Sequence, residues 1–269
     1  MTTEDLRADL VALGIEAGSL VMVHASLRRI GLGRADFGPG GAEVLLDALD
    51  DAVGPDGTLT MVLGTDYPMD WVYDHPPEAR AALLAGSPPF DHRDAPVLPE
   101  VGWLAESFRR RPGTLVSDNP SGRFGARGAR AAELMADQPW HDYYGSGSPL
   151  QKLCDWGGKV LRLGANPDTV TALHYAEYLA HLPDKKRTRW DYVLAGADGA
   201  PEHRWIDCLD DSEGIVDWPG EDYFALILKA YLRLGRHREG RVGKAQSELL
   251  DAADYVAFGA RWMEENLGS

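Results

Sequence analysis

GKVLRLGANPDTVTALHYAE, residues 158–177, is the stretch from which the fold can be read. KVLRL at 159–163 is an apolar run of strand length, and residues 166–182 follow as a helix start and then an amphipathic helix. The helix is expected to cap near Thr169 or Thr171. A buried strand that feeds a helix through a short loop is the building unit of layered α/β proteins.

The same alternation extends in both directions. A helix begins near Thr3, with Leu6, Leu10 and Leu13 on one face. LVMVH at 20–24 reads as a buried strand and ASLRRIGLG as the loop after it. Residues 41–53 read as a helix, Gly54-Pro55-Asp56-Gly57 as a turn, and TLTMVL at 58–63 as a second buried strand. From 64 to 98 no period is visible, although Tyr67, Trp71, Tyr73 and Phe90 argue against disorder. Helices are predicted at 100–110 and 126–136, with a short extended piece at 115–116. Another helix starts at Ser148-Pro149. Residues 187–195 and 202–208 suggest a hairpin, and 221–234 and 251–266 suggest closing helices. The expected fold is α/β: one layered domain over residues 1–269, with a central mixed sheet flanked by helices.

Composition narrows the function. Asp and Glu number 42 against 27 Lys and Arg, a net charge of −15. That excess speaks against nucleic acid, which needs clustered positive charge. It suits a polycationic ligand, and it equally suits simple solubility. Cys154 and Cys208 form no disulfide framework or zinc pattern, there is no run of about 18 apolar residues, and the start lacks an apolar signal core. A cytoplasmic setting without membrane contact is expected. No nucleophile elbow, Walker loop or dinucleotide fingerprint is present.

His174-Tyr175-Ala176-Glu177 places an imidazole and a carboxylate on one helix face. A carboxylate there would orient the ring and stabilise its protonated form, as a general base requires. The positive helix start should keep His174 neutral near pH 7. The same spacing also suits a plain surface ion pair. His181, a further four residues on, makes a three-ligand metal face imaginable, although the spacing is not that of a zinc protease. Arg28-Arg29-Ile30-Gly31-Leu32-Gly33 resembles the coenzyme A loop of the common N-acetyltransferase fold, but Pro39 follows where a helix should begin. Two arginines at a strand end could still grip phosphates. Acidic residues cluster at Asp66, Asp70 and Asp74 and again at Asp207, Asp210, Asp211 and Glu213. Interleaved with aromatics, they suit a sugar that carries ammonium groups.

Taken together, VMVHASLRRIG at 21–31, GPDGTLTM at 54–61, GSGSPLQKL at 145–153, GKVLRLGA at 158–165, TALHYAE at 171–177 and GRHREGRVGKAQ at 235–246 resemble the aminoglycoside 3-N-acetyltransferase family. The resemblance implies an antibiotic N-acetyltransferase-like α/β fold, distinct from the common acetyltransferase fold. It implies acetyl-coenzyme A (acetyl-CoA) as co-substrate, no metal, and transfer to the 3-amine of a 2-deoxystreptamine antibiotic, giving resistance. It also implies a catalytic His174 with Glu177, and acceptor contacts at Asp66, Tyr67, Asp210 and Glu213. For coenzyme A it implies His24, Ser26, Leu27 and Arg28, together with Ser117, Asn119 and Arg123. Asn119 and Arg123 stand where the family pattern has His and Ser. Alternatives are the same chemistry on another amine, a metal-dependent hydrolase, and a polyamine binder without catalysis.

Overall fold

The computed structural model describes residues 1–33, 40–65, 70–196 and 199–268. Among them, seven strands form one sheet in the order β3-β4-β2-β1-β5-β9-β8. They are β1 (Leu20–Ala25), β2 (Thr58–Val62), β3 (Leu115–Val116), β4 (Phe124–Gly128), β5 (Lys159–Leu163), β8 (Arg238–Val242) and β9 (Ala245–Asp251). The centre is parallel: β1 pairs with β2 on one side and with β5 on the other, Ala25 opposite Leu163. The flanks β4 and β9 run antiparallel, so the sheet is mixed, as expected. β6 (Arg187–Ala195) and β7 (Pro201–Leu209) form a separate hairpin.

Side chains alternate across the sheet, as strand geometry requires. Val21, Val23, Leu161 and Leu163 face one layer, where α1 (Thr3–Leu13), α3 (Gly41–Val53) and α5 (Trp103–Arg110) bury Leu6, Leu45, Leu49 and Phe108. Met22, Val160 and Leu250 face the other. There α7 (Pro149–Asp155), α8 (Ala172–Leu179), α9 (Tyr223–Leu232) and α10 (Ala252–Asn266) pack. Gly259 of α10 lies so close to α8 that a Cβ would come within 2.6 Å of Leu173. No helix among the described residues is long and apolar enough to cross a membrane.

Three expectations change. The loop after β1 contains a helical turn, α2 (Leu27–Ile30), capped by the Ser26 hydroxyl. Residues 126–136 are not one helix: 124–128 is strand β4, a positive φ at Gly128 ends it, and α6 (Ala131–Met135) follows. A Cβ at Gly128 would lie 2.1 Å from the Gly57 carbonyl oxygen, so this crossing requires glycine. Residues 238–251, for which the sequence suggests no element, supply two strands: β9 beside β5, and β8 at the edge of the sheet. The long segment holds a 3₁₀ turn at Asp70–Asp74 and α4 (Pro77–Ala85).

Candidate active site

The chain leaves β1 to build β2 on one side and returns to build β5 on the other. Loops therefore diverge at the carboxyl ends of β1 and β5, where open α/β sheets bind ligands. A cavity of about 1180 Å³ opens there, lined from β1 by His24 to Arg29, from β5 by Ala165 to Thr171, and by α8, α9 and the hairpin. It exceeds the roughly 300–1,000 Å³ of a pocket for a single small ligand.

His174 is the third residue of α8 and faces this cavity. Its Nδ1 lies 2.8 Å from Oε2 of Glu177, one turn on. Glu177 is 1 % exposed and accepts a second hydrogen bond from the Tyr223 hydroxyl on Oε1. Both carboxylate oxygens are thus held. Tyr144 stacks on the imidazole at 4.9 Å, with the ring planes 11° apart, and Phe224 meets its edge. The ring is fixed by three neighbours, which leaves Nε2 for chemistry.

The pKa shift of His174 runs opposite to expectation. Burial lowers the His174 pKa, but the Glu177 charge and hydrogen bond, with Asp211 and Asp222 behind them, more than offset it. The result is a raised imidazole pKa, because three nearby carboxylates outweigh the partial charge of a helix end. Burial in turn raises the carboxyl groups of Glu177 and Asp211, against the lowering effect of His174. Asp211 borders the cavity and accepts a 2.5 Å hydrogen bond from the Tyr143 hydroxyl. In the sequence Asp211 is one of a run of loop acids, between the expected acceptor contacts Asp210 and Glu213. Nothing local distinguishes Asp211, since Tyr143 lies 68 residues away.

The other expected residues divide. His24, Ser26, Leu27 and Arg28 line the cavity, and so does the exposed Glu213. Arg28 is exposed, and its side chain makes no ion pair or hydrogen bond among the described residues. Arg29, expected to share its role, is engaged elsewhere: it donates to the Gly164 carbonyl and the Asn166 side chain, both at 2.7 Å. Asp210 does not border the cavity; its carboxylate accepts from Ser212 and Glu213 and holds their turn. Asp66 and Tyr67 lie outside the described residues.

Ser117, Asn119 and Arg123, expected beside coenzyme A, do not border the cavity. Ser117 accepts from the Phe124 amide. Asn119 accepts from the Ser121 and Gly122 amides and donates to the Pro139 and Trp140 carbonyls. Arg123 is fully buried and donates to the carbonyls of Ala95 and Pro96. All three side chains are engaged with backbone. His181 leaves the helix face it was expected to share: α8 ends at Leu179, Ala180 is extended, and His181 is exposed.

A mixed sheet with a parallel centre, and a histidine–carboxylate pair beside the carboxyl ends of its parallel strands, defines an α/β enzyme whose site carries the parts a general base needs. The chain belongs to the aminoglycoside 3-N-acetyltransferase family, whose model matches residues 22–264. It is 38% identical to aminoglycoside N(3)-acetyltransferase VII of Streptomyces paromomycinus, over 100% of this chain and 93% of that one. Among solved structures, it resembles the AAC-IIIb binary complex with CoASH, with a TM-score of 0.90 and 40% identity over 100% of this chain and 98% of that one. It also resembles AAC-VIa bound to sisomicin, with a TM-score of 0.88 and 38% identity over 98% of each chain.

Proposed function

We propose that this enzyme moves an acetyl group from acetyl-CoA to the 3-amine of a 2-deoxystreptamine aminoglycoside, and so gives resistance to it. The observation that carries the mechanism is the 2.8 Å pair of His174 and Glu177 on the cavity wall. The aminoglycoside amine arrives as an ammonium ion. His174 Nε2 removes its proton, while Nδ1–H donates to Glu177, whose charge stabilises the imidazolium. The freed amine nitrogen attacks the thioester carbonyl and the C–S bond breaks; the nitrogen, now cationic, gives up its second proton, which neutralises the leaving thiolate as coenzyme A. Direct transfer needs no cysteine. Burial pushes both Cys154 and Cys208 up to about 12, so neither is a thiolate at neutral pH.

Both substrates fit the polarity of the cavity. Asp211, Glu213 and Asp222 line the acceptor side with acid, which suits a polycation and repels nucleic acid. Arg28, without a protein partner, stands at the end of β1 where a phosphate of the donor could be held. Wall residues drawn from His24 to Phe224 support treating residues 1–269 as one domain. The two free cysteines support a reducing, cytoplasmic setting. Thiol release from acetyl-CoA, measured across a panel of aminoglycosides and metabolic amines, tests the reading. Release with aminoglycosides and a 3-N-acetyl product by NMR is expected. Release with the metabolic amines alone would overturn it.

A further inference from the structure

His24, Arg162 and Glu248 are register partners on β1, β5 and β9, so their side chains form one polar row across an otherwise apolar sheet face. Arg162 is 2 % exposed. It pairs with Glu248 at 2.9 Å and donates to the carbonyls of Ala165 and Asn166, and its Nε has no partner. His24 is 8 % exposed, with its Nε2 sealed in the interior and equally unpartnered. The Tyr255 hydroxyl, fully buried on α10 against the same face, is the third such group. Arg162 acts electrostatically on both His24 and Tyr255. Three orphaned polar groups around one guanidinium supply the two to four partners that a buried water requires.

We propose that these groups hold a buried water that fixes His24 as a neutral Nδ1–H tautomer, and that this N–H polarises the acetyl thioester carbonyl opposite His174. Arg162 Nε–H can only donate, so the water oxygen faces it. One water proton then reaches the lone pair on His24 Nε2, and Tyr255 completes the shell. The guanidinium charge favours that lone pair, and so the proton moves to Nδ1. The groups that face His24 agree: burial and the Arg162 charge lower its pKa to about 3. Glu248 opposes this only through Arg162, which it neutralises in part, with Asp168 and Arg29 beside the same guanidinium. His24 ends β1 next to β5, whose following loop leads into the His174 helix, and both histidines border one cavity. Among the described residues, His24 is the cavity-lining residue with a buried, unpartnered side-chain atom. A neutral N–H aimed at a developing oxyanion gains strength in the transition state, which is where rate is won.

The inference rests on the acetyl transfer proposed above, and its tests separate the two. In ¹⁵N-histidine-labelled wild-type protein, the His24 ring, assigned by difference with His24→Gln, should appear neutral with the proton on Nδ1. Arg162→Met and Tyr255→Phe should move it toward a tautomer mixture. In acetyl transfer, His24→Ala should lower kcat roughly 10²–10³-fold, the worth of one oxyanion donor, with little change in KM for acetyl-CoA. His24→Asn, whose amide occupies the place of Nδ1, should recover most of that loss, and His24→Gln should not. An Nε2–H ring in the wild type, or a folded His24→Ala enzyme with unchanged kcat, overturns the proposal while leaving the wild-type acetyl transfer intact.

Discussion

His174 is gripped on one nitrogen and free on the other, and that asymmetry is what a proton-transfer catalyst needs. His174→Ala should lower kcat by about 10²–10⁴-fold, the usual worth of a positioned general base. Because the His174 pKa is raised, its base form is lost at a higher pH than for an ordinary imidazole. The acid limb of kcat/KM should therefore lie above about pH 6.5, the ordinary imidazole value. Glu177→Gln removes the largest raising influence, so the limb should move down in pH as kcat falls. A limb that stays in place in Glu177→Gln would mean that another group titrates. On the donor side, Arg28→Ala should raise KM for acetyl-CoA about tenfold, near the lower end for a hydrogen bond to a charged group. KM for the aminoglycoside should change far less. At this scale the pair in α8 was legible because both members sit in one helical turn. Asp211 was not, because only the distant Tyr143 sets it apart from its acidic neighbours.

Elements with one clear period were legible from sequence, and those that mix roles were not. Residues 41–53 combine helical spacing of leucines with a glycine stop, and the helix has those bounds. β9 reads AQSELLD: Gln246, Ser247 and Glu248 interrupt the apolar pattern, and Glu248 sits inside only because Arg162 meets it from the neighbouring strand. β4 reads FGARG and runs straight into the alanine-rich start of α6, so the two look like one helix in sequence, and only the positive φ of Gly128 separates them. Asn119 shows how a loop residue can be structural: one side chain serves two amides and two carbonyls. Asn119→Ala should destabilise the fold by about 1–3 kcal/mol for the buried groups left unpaired, seen as a lower midpoint in urea. Its KM for acetyl-CoA should hold, since the side chain does not border the cavity. At the crossing of α8 and α10, Gly259→Val should overpack against Leu173 and Ala176 and cost about 1–3 kcal/mol. It should lower kcat as well, because the helix it pushes carries His174. Unchanged kcat in a folded variant would show that α8 yields without moving the base.

For the whole molecule, the net charge of −15 sets how substrates approach. Raising salt from low to physiological ionic strength should weaken a polycationic acceptor, with KM rising as the Debye length shrinks to about 8 Å. The anionic donor should not weaken in parallel. Equal salt responses of the two KM values would place the acidity away from the acceptor's path. The sheet has a further consequence. Its centre is laid down early, yet the last strands and α10 complete it: Glu248 fastens Arg162, and Gly259 seats the helix of His174. During synthesis the base emerges long before the parts that hold it, so no nascent or truncated form carries a finished site. Truncation anywhere ahead of Glu248 should therefore abolish acetyl transfer, measured as thiol release from acetyl-CoA. Activity should be all-or-none along the chain, with no shorter product that retains a share of it.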